Sequence, residues 1–315
     1  MANHASLPTA RPSRTALMSA AARAAHLLVD REPAILADTL AQRLLGEYAE
    51  ELLSYHRSFG AHPVLAGART TALTRSRFAE DRLAALAARG TDQYVLLGAG
   101  LDTFAYRSAP AVPAAPAAPA DRVRVFEVDH PAVQHWKRDL LAAAGIAVPP
   151  GTAFVPVDLE RGGGAGELVA ALVAAGFDPG RPALVAWLGV TMYLGADAIG
   201  ATLAAVGGLA PGSELVAEYL LPPGRRDEAG QAYAEQVASA AAEGGEPWRT
   251  FLDTEEMDTL LTTAGLRPLA HLRQHESVPA ELWQRADALR PFGLSVLAHA
   301  EVPARERDRR KRGRQ

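Results

Sequence analysis

The sequence predicts an α/β fold in which helices cover both faces of an open parallel β-sheet. Residues 94–97 are apolar or β-forming, which is typical of a strand that is buried on both faces. The chain then passes through Gly98 and Gly100, which lack the Cβ atom that would keep a ligand away from the backbone. Two later strands end in Asp129 and Asp158, and the carboxyl ends of parallel strands border the ligand crevice. Together these observations predict one binding crevice at one edge of the sheet.

Each of the two strand-end acids fits one part of a nucleoside. The Asp129 carboxylate can accept hydrogen bonds from both hydroxyls of a ribose, as sites for dinucleotides and for S-adenosylmethionine require. Asp158 is followed by Leu159, and this pair suits an adenine ring. The carboxylate would accept from the exocyclic amine while the backbone beside Leu159 reads the ring edge. A solvated acid at the end of a strand is the alternative at both positions.

Three motifs together resemble the leucine carboxyl methyltransferase family, and in particular its bacterial branch of S-adenosylmethionine-dependent O-methyltransferases. They are Leu-Gly-Ala-Gly-Leu-Asp-Thr-Phe-Ala-Tyr-Arg at 97–107, Val-Phe-Glu-Val-Asp-His-Pro at 125–131 and Asp-Leu at 158–159. The resemblance runs from roughly residue 15 to residue 300. It implies the class I methyltransferase fold, a Rossmann-like seven-stranded sheet with its last strand antiparallel, a helical N-terminal extension and an inserted lid.

The resemblance also implies which residues bind the cofactor S-adenosylmethionine: Gly98, Ala99, Gly100, Asp129, Asp158 and Leu159. In the family, an arginine about one helix ahead of the glycine turn binds the carboxylate of the cofactor, and Arg75 matches that position best. A planar and permanently charged guanidinium suits a carboxylate in a partly dry pocket. The alternative is an exposed helical arginine that pairs with Asp81 or Glu80.

Residues 15–90 form the predicted helical extension. Apolar residues recur at helical spacing over 17–28 and again over 33–46, which predicts two helices. A longer helix is predicted over 70–89. The family carries a basic residue near Arg23, on the first helix, but the match is too loose for an assignment, and a surface arginine is the favoured interpretation.

Several segments carry no predicted chemistry. Proline recurs through 108–120, which blocks both helix and strand pairing and predicts an extended surface loop. The glycine-rich segment 161–166 lacks the Lys-Ser/Thr pair of a phosphate-binding loop and is interpreted as a flexible joint. His130 follows Asp129 directly, and we interpret it as a helix cap in preference to a general base.

The acceptor site is expected at the carboxyl end of the fourth strand, residues 183–188. Tyr193 follows this strand and would contact the cofactor or the acceptor, or else pack beneath the next helix. A polar insertion over 221–250 is the expected lid, and the candidates for substrate binding within it are Arg225, Arg226, Tyr233 and Trp248. A solvated helical excursion explains the same residues as an alternative.

The C-terminal part completes the sheet. Glu256 stands three residues after Asp253, the spacing of a capping box, which predicts the start of a helix. Residues 267–272 and 293–302 are expected to form the sixth and seventh strands. The basic tail over 303–315 contains no aromatic residue, so a disordered solubilising tail is favoured over a site for nucleic acid or an acidic partner.

Length and composition favour one soluble domain over 15–302, preceded by a mobile segment over 1–14, with two compact domains as the alternative. The 32 basic and 36 acidic side chains give a net charge of −4, so no pull toward nucleic acid is expected. Cysteine is absent, which excludes disulfides, thiolate metal sites and a cysteine nucleophile, and no metal site is predicted. There is no long apolar run and no secretory leader pattern, so a cytoplasmic location without membrane contact is expected.

The predicted activity is in-line methyl transfer to an oxygen of a small molecule or specialised metabolite. A carboxylate is favoured because a pKa of about 4 leaves it ionised at neutral pH, and no general base is then needed. A phenol, with a pKa of about 10, would need a base such as His130, His271 or His275. No catalytic residue is assigned, and the oligomeric state is left open.

Two other classes of protein remain open at this point. An NAD(P)-dependent oxidoreductase would use a similar strand, turn and acid, but the third glycine of its turn is missing after Gly100. A non-catalytic S-adenosylmethionine-binding protein is the other alternative, because Leu188 stands where the eukaryotic members of the family have a glutamate. A protein C-terminal carboxylate is a less favoured acceptor, since no docking surface is recognisable in the sequence.

Overall fold

A computed structural model describes residues 13–107, 123–161 and 165–304, and in them the predicted seven-stranded sheet is confirmed. The strands lie in the order β3-β2-β1-β4-β5-β7-β6, and their bounds are Gln93–Leu97 (β1), Arg124–Asp129 (β2), Thr152–Pro156 (β3), Leu184–Trp187 (β4), Glu214–Leu220 (β5), Arg267–Leu272 (β6) and Ser295–Glu301 (β7). Four segments lie outside the described residues: 1–12, 108–122, 162–164 and 305–315. They include the proline-rich loop, half of the glycine-rich joint and nearly all of the basic tail.

The direction of the strands creates the crevice that the sequence predicts. Strands β1 to β5 pair in parallel, whereas β7 runs antiparallel to both β5 and β6, as expected for the last strand. After β1 the chain builds outward through β2 and β3, and it then returns to place β4 on the other side of β1. A parallel sheet opens at such a reversal, so the carboxyl ends of β1 and β4 form the binding crevice.

The core lies on both faces of this sheet. Val95 and Leu97 pack on one face and Tyr94 and Leu96 on the other, and all of them are buried. The helices α6 (Pro131–Ala143), α7 (Ala165–Ala174) and α8 (Ala196–Gly207) follow β2, β3 and β4 respectively. A short helix, α5 (Phe104–Arg107), follows the glycine turn. Because each central strand is covered twice, its residues read as continuous apolar runs.

The N-terminal helices cover one end of the sheet. The first predicted helix is confirmed as α1 (Arg14–Val29), which begins at Ser13, whose side chain accepts from the Ala16 amide. α1 packs against α3 (Ala49–Phe59) and against α4 (Pro63–Ala87). The long helix therefore begins seven residues earlier than predicted, because His62 caps it and Pro63 supplies a favourable first residue.

The predicted helix over 33–46 is wrong. Only α2 (Ala41–Leu44) is α-helical there, and it is followed by a 3₁₀ turn at Gly46–Tyr48. The Asp38 carboxylate accepts from the amides of Leu40 and Ala41, which are 3.2 and 3.0 Å away, so the backbone turns into a helix only at that point. Ile35 and Leu36 are buried from an irregular segment. Their apolar spacing therefore reflected burial and not helical periodicity.

The segment after β5 packs over the helices of the extension. It contains α9 (Glu228–Glu243), which begins at Asp227 and contacts α4. A confirmed capping box between Asp253 and Glu256 then starts α10 (Thr254–Thr263). Among the described residues no helix is long and apolar enough to cross a membrane.

Candidate functional site

A cavity of about 220 Å³ lies at the carboxyl ends of β1, β2 and β4, and we call it the strand-end cavity. It is lined by Leu96–Asp102 and Asp129 from the sheet side, by Leu188, Gly189, Val190 and Tyr193 after β4, by Thr15, Ser19 and Arg23 from α1, by Arg75 from α4 and by Glu246 after α9. The sheet thus supplies the floor of this cavity, and the helical segments supply its cover.

The glycine turn brings the backbone to the wall of the cavity. Gly98 and Gly100 have positive φ angles of 67° and 46°, a conformation that favours glycine. A Cβ atom on Gly98 would lie 2.4 Å from a methyl group of Val190, so this position has no room for a larger residue. The amides of Gly98 and Ala99 donate to the Val128 carbonyl, which ties the turn to β2. The backbone of this turn therefore lines the cavity and can contact a ligand there.

Asp129 is held in place by two backbone amides. One carboxylate oxygen accepts from the Gly100 amide at 2.6 Å, and the other accepts from the His130 amide at 2.7 Å. Burial raises the pKa of the Asp129 carboxyl, although both of these amides act to lower it. Since each oxygen can accept a further hydrogen bond, the group can receive a diol from inside the cavity.

The predicted adenine pair is placed differently. Neither Asp158 nor Leu159 lines the strand-end cavity, although both follow β3 at the same edge of the sheet. The Asp158 carboxylate accepts from the amides of Glu160 and Arg161, and Leu159 packs against the core. The prediction that His130 caps a helix is confirmed, because its Nδ1 accepts from the Ala132 amide at the start of α6.

Arg23 is a correction, because it is a buried residue and not a surface arginine. Its side chain is 6% exposed and donates to the Asp38 carboxylate at 2.8 Å and to the Leu101 carbonyl at 2.7 Å. Burial alone would raise the pKa of Asp38, but the guanidinium groups of Arg23 and Arg107 hold it below its usual value. Arg23 thereby fixes the glycine turn against α1.

Arg75 lies where β4 and β5 meet the extension. Its Nη1 donates to the Glu218 carboxylate at 2.8 Å, and its Nη2 donates to the Ser19 hydroxyl at 3.0 Å. The guanidinium packs directly on Gly189, where a Cβ atom would lie 2.4 Å from Nη1. The alternative pairing of Arg75 with Asp81 or Glu80 is wrong, since Arg77 pairs with Asp81 and Arg107 with Glu80. Arg75 still has N–H groups that can reach a ligand.

A second cavity, of about 150 Å³, adjoins the first, and we call it the helix cavity. Arg75, Gly189 and Tyr193 line both cavities and so form the wall between them. The remaining lining is mostly apolar or aromatic and includes Met18, Met192, Leu220, Tyr233, Trp248 and Leu294, with the Glu218 carboxylate among them. Arg225 is not part of it, because this arginine lies on the surface 3.6 Å from the Asp253 carboxylate.

Three predicted residues therefore meet in the helix cavity: Tyr193, Tyr233 and Trp248. Tyr193 lies in a 3₁₀ turn directly after β4, and Trp248 packs edge-on against Phe251 in the segment after α9. Burial raises the pKa of the Tyr193 phenol, so the hydroxyl remains protonated near neutral pH. Tyr193 can thus donate a hydrogen bond toward a ligand in either cavity.

The other acid of the β2 motif, Glu127, has a structural role. The Glu127 side chain is buried, accepts from the Tyr106 hydroxyl at 3.0 Å and lies 2.8 Å from the Lys137 ammonium. Burial raises the pKa of Glu127, while Lys137 opposes that change. This contact links the motif over 97–107 to the motif over 125–131 and stabilises the edge on which Asp129 stands.

Sequence reasoning missed several polar residues of the site, among them Ser19, Arg23, Glu218 and Glu246. One signal could have found Arg23, because alanines surround it on every side of the helix at 20–25, which indicates a helix that is buried all round. Glu218 also stands out as a charged residue within an otherwise apolar strand, and a buried charge requires a partner. Among the described residues no cluster of histidine and acidic side chains could hold a metal ion.

Comparison with known proteins gives consistent matches. A model of the family described as leucine carboxyl methyltransferase matches residues 16–207, more than half of the chain. The "Putative S-adenosyl-L-methionine-dependent methyltransferase YktD" of Bacillus subtilis is 28% identical over 91% of this chain and 97% of that protein. A "Putative S-adenosyl-L-methionine-dependent methyltransferase" of Mycolicibacterium gilvum is 34% identical over 73% of this chain and 72% of that protein.

Two solved structures share the fold. A crystal structure titled as a putative methyltransferase from Thermobifida fusca has a TM-score of 0.52 and 21% identity, over 84% of this chain and 93% of that chain. A duf574 family protein from Streptomyces avermitilis has a TM-score of 0.53 and 17% identity, over 90% of this chain and 97% of that chain. At these identities the likeness concerns the fold.

Proposed function

The chain belongs to the leucine carboxyl methyltransferase family and is an S-adenosylmethionine-dependent methyltransferase, and from this premise we propose that it methylates an oxygen of a small molecule. The proposed acceptor lies in the helix cavity, with its carboxylate or hydroxyl oxygen directed toward the strand-end cavity. The observation that supports this most directly is the shared wall, because Arg75, Gly189 and Tyr193 face both cavities. An acceptor and a nucleoside could therefore meet without crossing bulk solvent.

The strand-end cavity fits the cofactor. The positive-φ glycines expose backbone at one wall, and the Asp129 carboxylate retains acceptor capacity for the ribose hydroxyls. Arg75 is proposed to bind the carboxylate of the cofactor with the N–H groups that Glu218 and Ser19 leave free. When bound, S-adenosylmethionine supplies an electrophilic methyl carbon.

The protein's own contribution is then to orient the acceptor oxygen and to exclude water. Holding two reactants in the correct geometry can supply roughly 7–11 kcal/mol of the barrier. The apolar and aromatic side chains of the helix cavity suit the body of a small molecule, and Tyr193 can donate to its oxygen. The acceptor oxygen is the nucleophile. The remaining requirement is that this oxygen is deprotonated when it attacks the methyl group.

The histidines favour a carboxylate acceptor. His130, His271 and His275, the bases that a phenol would call for, line neither cavity. His271 is engaged elsewhere, since its two ring nitrogens contact the Tyr219 hydroxyl and the Asp258 carboxylate. A carboxylate is already ionised at neutral pH and needs no base. An acidic small molecule is therefore the acceptor that these surroundings support best.

The test combines binding and chemistry. Calorimetric titration with S-adenosylmethionine, S-adenosylhomocysteine and NAD is expected to show binding of the two sulfur nucleosides and none of NAD. Incubation with methyl-labelled S-adenosylmethionine and a panel of carboxylic acids, phenols and amines is then expected to label an acid. The label should be released as methanol by alkali, because esters hydrolyse under conditions in which methyl ethers persist. Labelling of amines alone, or tight cofactor binding with no labelled product from any acceptor, would overturn the proposal.

A further inference from the structure

A third cavity opens to the surface beside the helix cavity. It has a volume of about 700 Å³ and lies between the start of α4, one face of α9 and the segment before β7; we call it the outer groove. Small and apolar side chains dominate its lining, with charged side chains from Asp227, Glu228 and Arg290. It is several times larger than the helix cavity, so the space beyond the acceptor pocket exceeds the pocket itself.

The outer groove and the helix cavity share the ring of Tyr233, which lines both. The ring lies on Gly67 of α4, where a Cβ atom would be 2.7 Å from it, and its centroid is 5.0 Å from that of Phe292. Because α4 and α9 approach each other so closely at this point, the Tyr233 ring forms the partition between the two spaces, and a ligand that spans both would have to displace it.

The helices α4 and α9 extend alongside the outer groove and the helix cavity. On α4, Val64 and Gly67 line the outer groove, Thr71 lines the helix cavity, and Arg75 reaches the strand-end cavity. These positions recur every three or four residues, so they form one face of the helix. The eleven-residue separation from Val64 to Arg75 corresponds to about 16 Å along the axis.

On α9 the lining follows the same spacing. Ala229 and Ala232 line the outer groove, and Val237 and Ala241 line the helix cavity, with Tyr233 between them. Glu246, shortly after the end of α9, lines the strand-end cavity. The three cavities thus follow one another along the seam between α4 and α9.

We propose that the outer groove binds the apolar tail of an elongated acceptor whose oxygen-bearing end occupies the helix cavity. The inference rests on the proposed function and specifies its substrate class: an amphiphilic molecule with a long alkyl or aryl chain. Apolar side chains at Val64, Ala232 and Phe292 would cover the chain, and the charged residues would lie where it leaves the protein. A compact acceptor would fill only the helix cavity and leave the larger space unused.

The test measures how affinity depends on chain length. Purified full-length protein, with saturating S-adenosylhomocysteine, is titrated with butanoate and decanoate and, in parallel, with 4-methylphenol and 4-heptylphenol. In at least one of the two series the long member is expected to bind at least tenfold more tightly than the short one. Equal affinity of the long and short members in both series would overturn the proposal.

Two matched substitutions on α9 locate the tail. Ala232 and Ala240 are both exposed, but only Ala232 lines the outer groove. Ala232→Trp is expected to weaken binding of the long probe at least tenfold and to leave the short probe unchanged, whereas Ala240→Trp should alter neither. Val64→Trp, on the opposite wall, should reproduce the effect and serves as the second blocking variant. Equal effects of Ala232→Trp and Ala240→Trp on the long probe would contradict the assignment.

Titration of S-adenosylhomocysteine alone keeps the two proposals separate. The blocking variants should bind it as the unaltered protein does, because the outer groove shares no residue with the strand-end cavity. If the unaltered protein failed to bind S-adenosylhomocysteine, that result would count against the proposed function. The chain-length series, repeated without S-adenosylhomocysteine, would still test whether the outer groove binds an apolar tail.

Discussion

Two carboxylates, Asp129 in the strand-end cavity and Glu218 in the helix cavity, are held in opposite ways. In the strand-end cavity, Asp129 accepts from the backbone amides of Gly100 and His130, which belong to the same two motifs. In the helix cavity, Glu218 accepts from the side chains of Arg75 and Ser295, which are 143 and 77 positions away in the chain. Backbone amides are present whatever the side chains are, whereas a side-chain partner is lost by one substitution.

This difference bears on how each cavity can change. A site built from backbone within two short motifs stays the same while sequence elsewhere varies, which suits a common cofactor. A site built from side chains of α1, α4, α9 and the strands changes with any one of them, which suits an acceptor that is particular to one protein. The following predictions test this contrast, beginning with the largest expected effect.

Removal of Arg75 should be the most damaging single change, because it leaves Glu218 buried without its cationic partner. Arg75→Ala is expected to lower the free energy of unfolding by about 3 kcal/mol, at the low end for a broken buried pair since the Arg75 side chain is 17% exposed. Urea unfolding at pH 7 measures it. Arg57→Ala, which removes a surface pair with Glu50, is the control and should change stability by less than about 1 kcal/mol.

The same variant tests the role of Arg75 toward the cofactor. If the guanidinium holds the cofactor's carboxylate, Arg75→Ala should weaken binding of S-adenosylhomocysteine more than binding of adenosine. The double variant Arg75→Ala/Glu218→Gln should recover part of the lost stability without recovering this selectivity. An equal loss of affinity for both nucleosides would show that Arg75 does not contact the carboxylate.

Asp129→Ala should weaken binding in the strand-end cavity. Loss of hydrogen bonds from the ribose to a charged group is expected to cost about 1.5–3 kcal/mol, equivalent to roughly 10- to 150-fold in affinity for S-adenosylhomocysteine. Calorimetric titration measures this, and Asp139→Ala, an exposed acid on the following helix, is the control. An affinity that Asp129→Ala leaves unaltered would remove the assignment of the ribose site.

Two glycines separate backbone strain from crowding at the wall between the cavities. Gly189 and Gly90 both have positive φ angles, of 71° and 96°, but a Cβ atom at Gly90 meets nothing within 4 Å. Gly90→Ala should cost about 1 kcal/mol from the left-handed backbone alone. Gly189→Ala should cost roughly 1–3 kcal/mol more, because the new methyl group displaces the Arg75 guanidinium. Equal costs in urea unfolding would mean that Arg75 moves away freely.

Acid should destabilise the protein through His56, which lies in the helical extension. His56 of α3 is buried 3.1 Å from Arg69, and burial together with Arg69 lowers the pKa of His56 to about 4, despite the nearby Asp30. The unfolded chain gains a proton near pH 6.5 and the folded protein does not, so stability falls as the pH drops from 6.5 toward 4. Between pH 7.5 and pH 5 the loss due to His56 is expected to be about 2 kcal/mol.

His56→Gln provides the control for this pH effect, since it keeps an acceptor for Arg69 but cannot titrate. The difference in unfolding free energy between the unaltered protein and the variant should shrink by that amount over the same pH range. A difference that stays constant with pH would show that His56 binds a proton as readily in the folded protein as in the unfolded chain.

The smallest expected effect concerns the contact that closes the strand-end cavity. Glu246 accepts from the Ser13 hydroxyl at 2.8 Å and from the Thr15 amide at 3.0 Å, which joins the segment after α9 to the start of α1. Glu246→Ala should weaken binding of S-adenosylhomocysteine by about 1 kcal/mol, and Glu246→Gln should retain most of the affinity. An identical loss in both variants would assign the effect to the charge of Glu246.

The sequence by itself determined the sheet and its crevice. Runs of apolar residues predicted the strands, and the glycine turn with Asp129 predicted the binding edge. The Asp253 capping box predicted the start of α10. These features depend on residues that are adjacent or a few positions apart, so they are visible in the order of the amino acids. The motifs at 97–107, 125–131 and 158–159 also resembled those of one family, and the comparisons confirm that family.

Only the tertiary structure decided how the helices of the extension and α9 pack on the sheet to complete both cavities. The burial of Arg23 against Asp38 and Leu101, the pairing of Arg75 with Glu218 and the meeting of α4 with α9 at Tyr233 all join distant segments. In the sequence Arg23 looks like an ordinary helical arginine, and nothing near Arg75 indicates that Glu218 is its partner, because a charged side chain on a helix is exposed unless something covers it. What covers them is set by packing between helices and strands, and no local pattern records that.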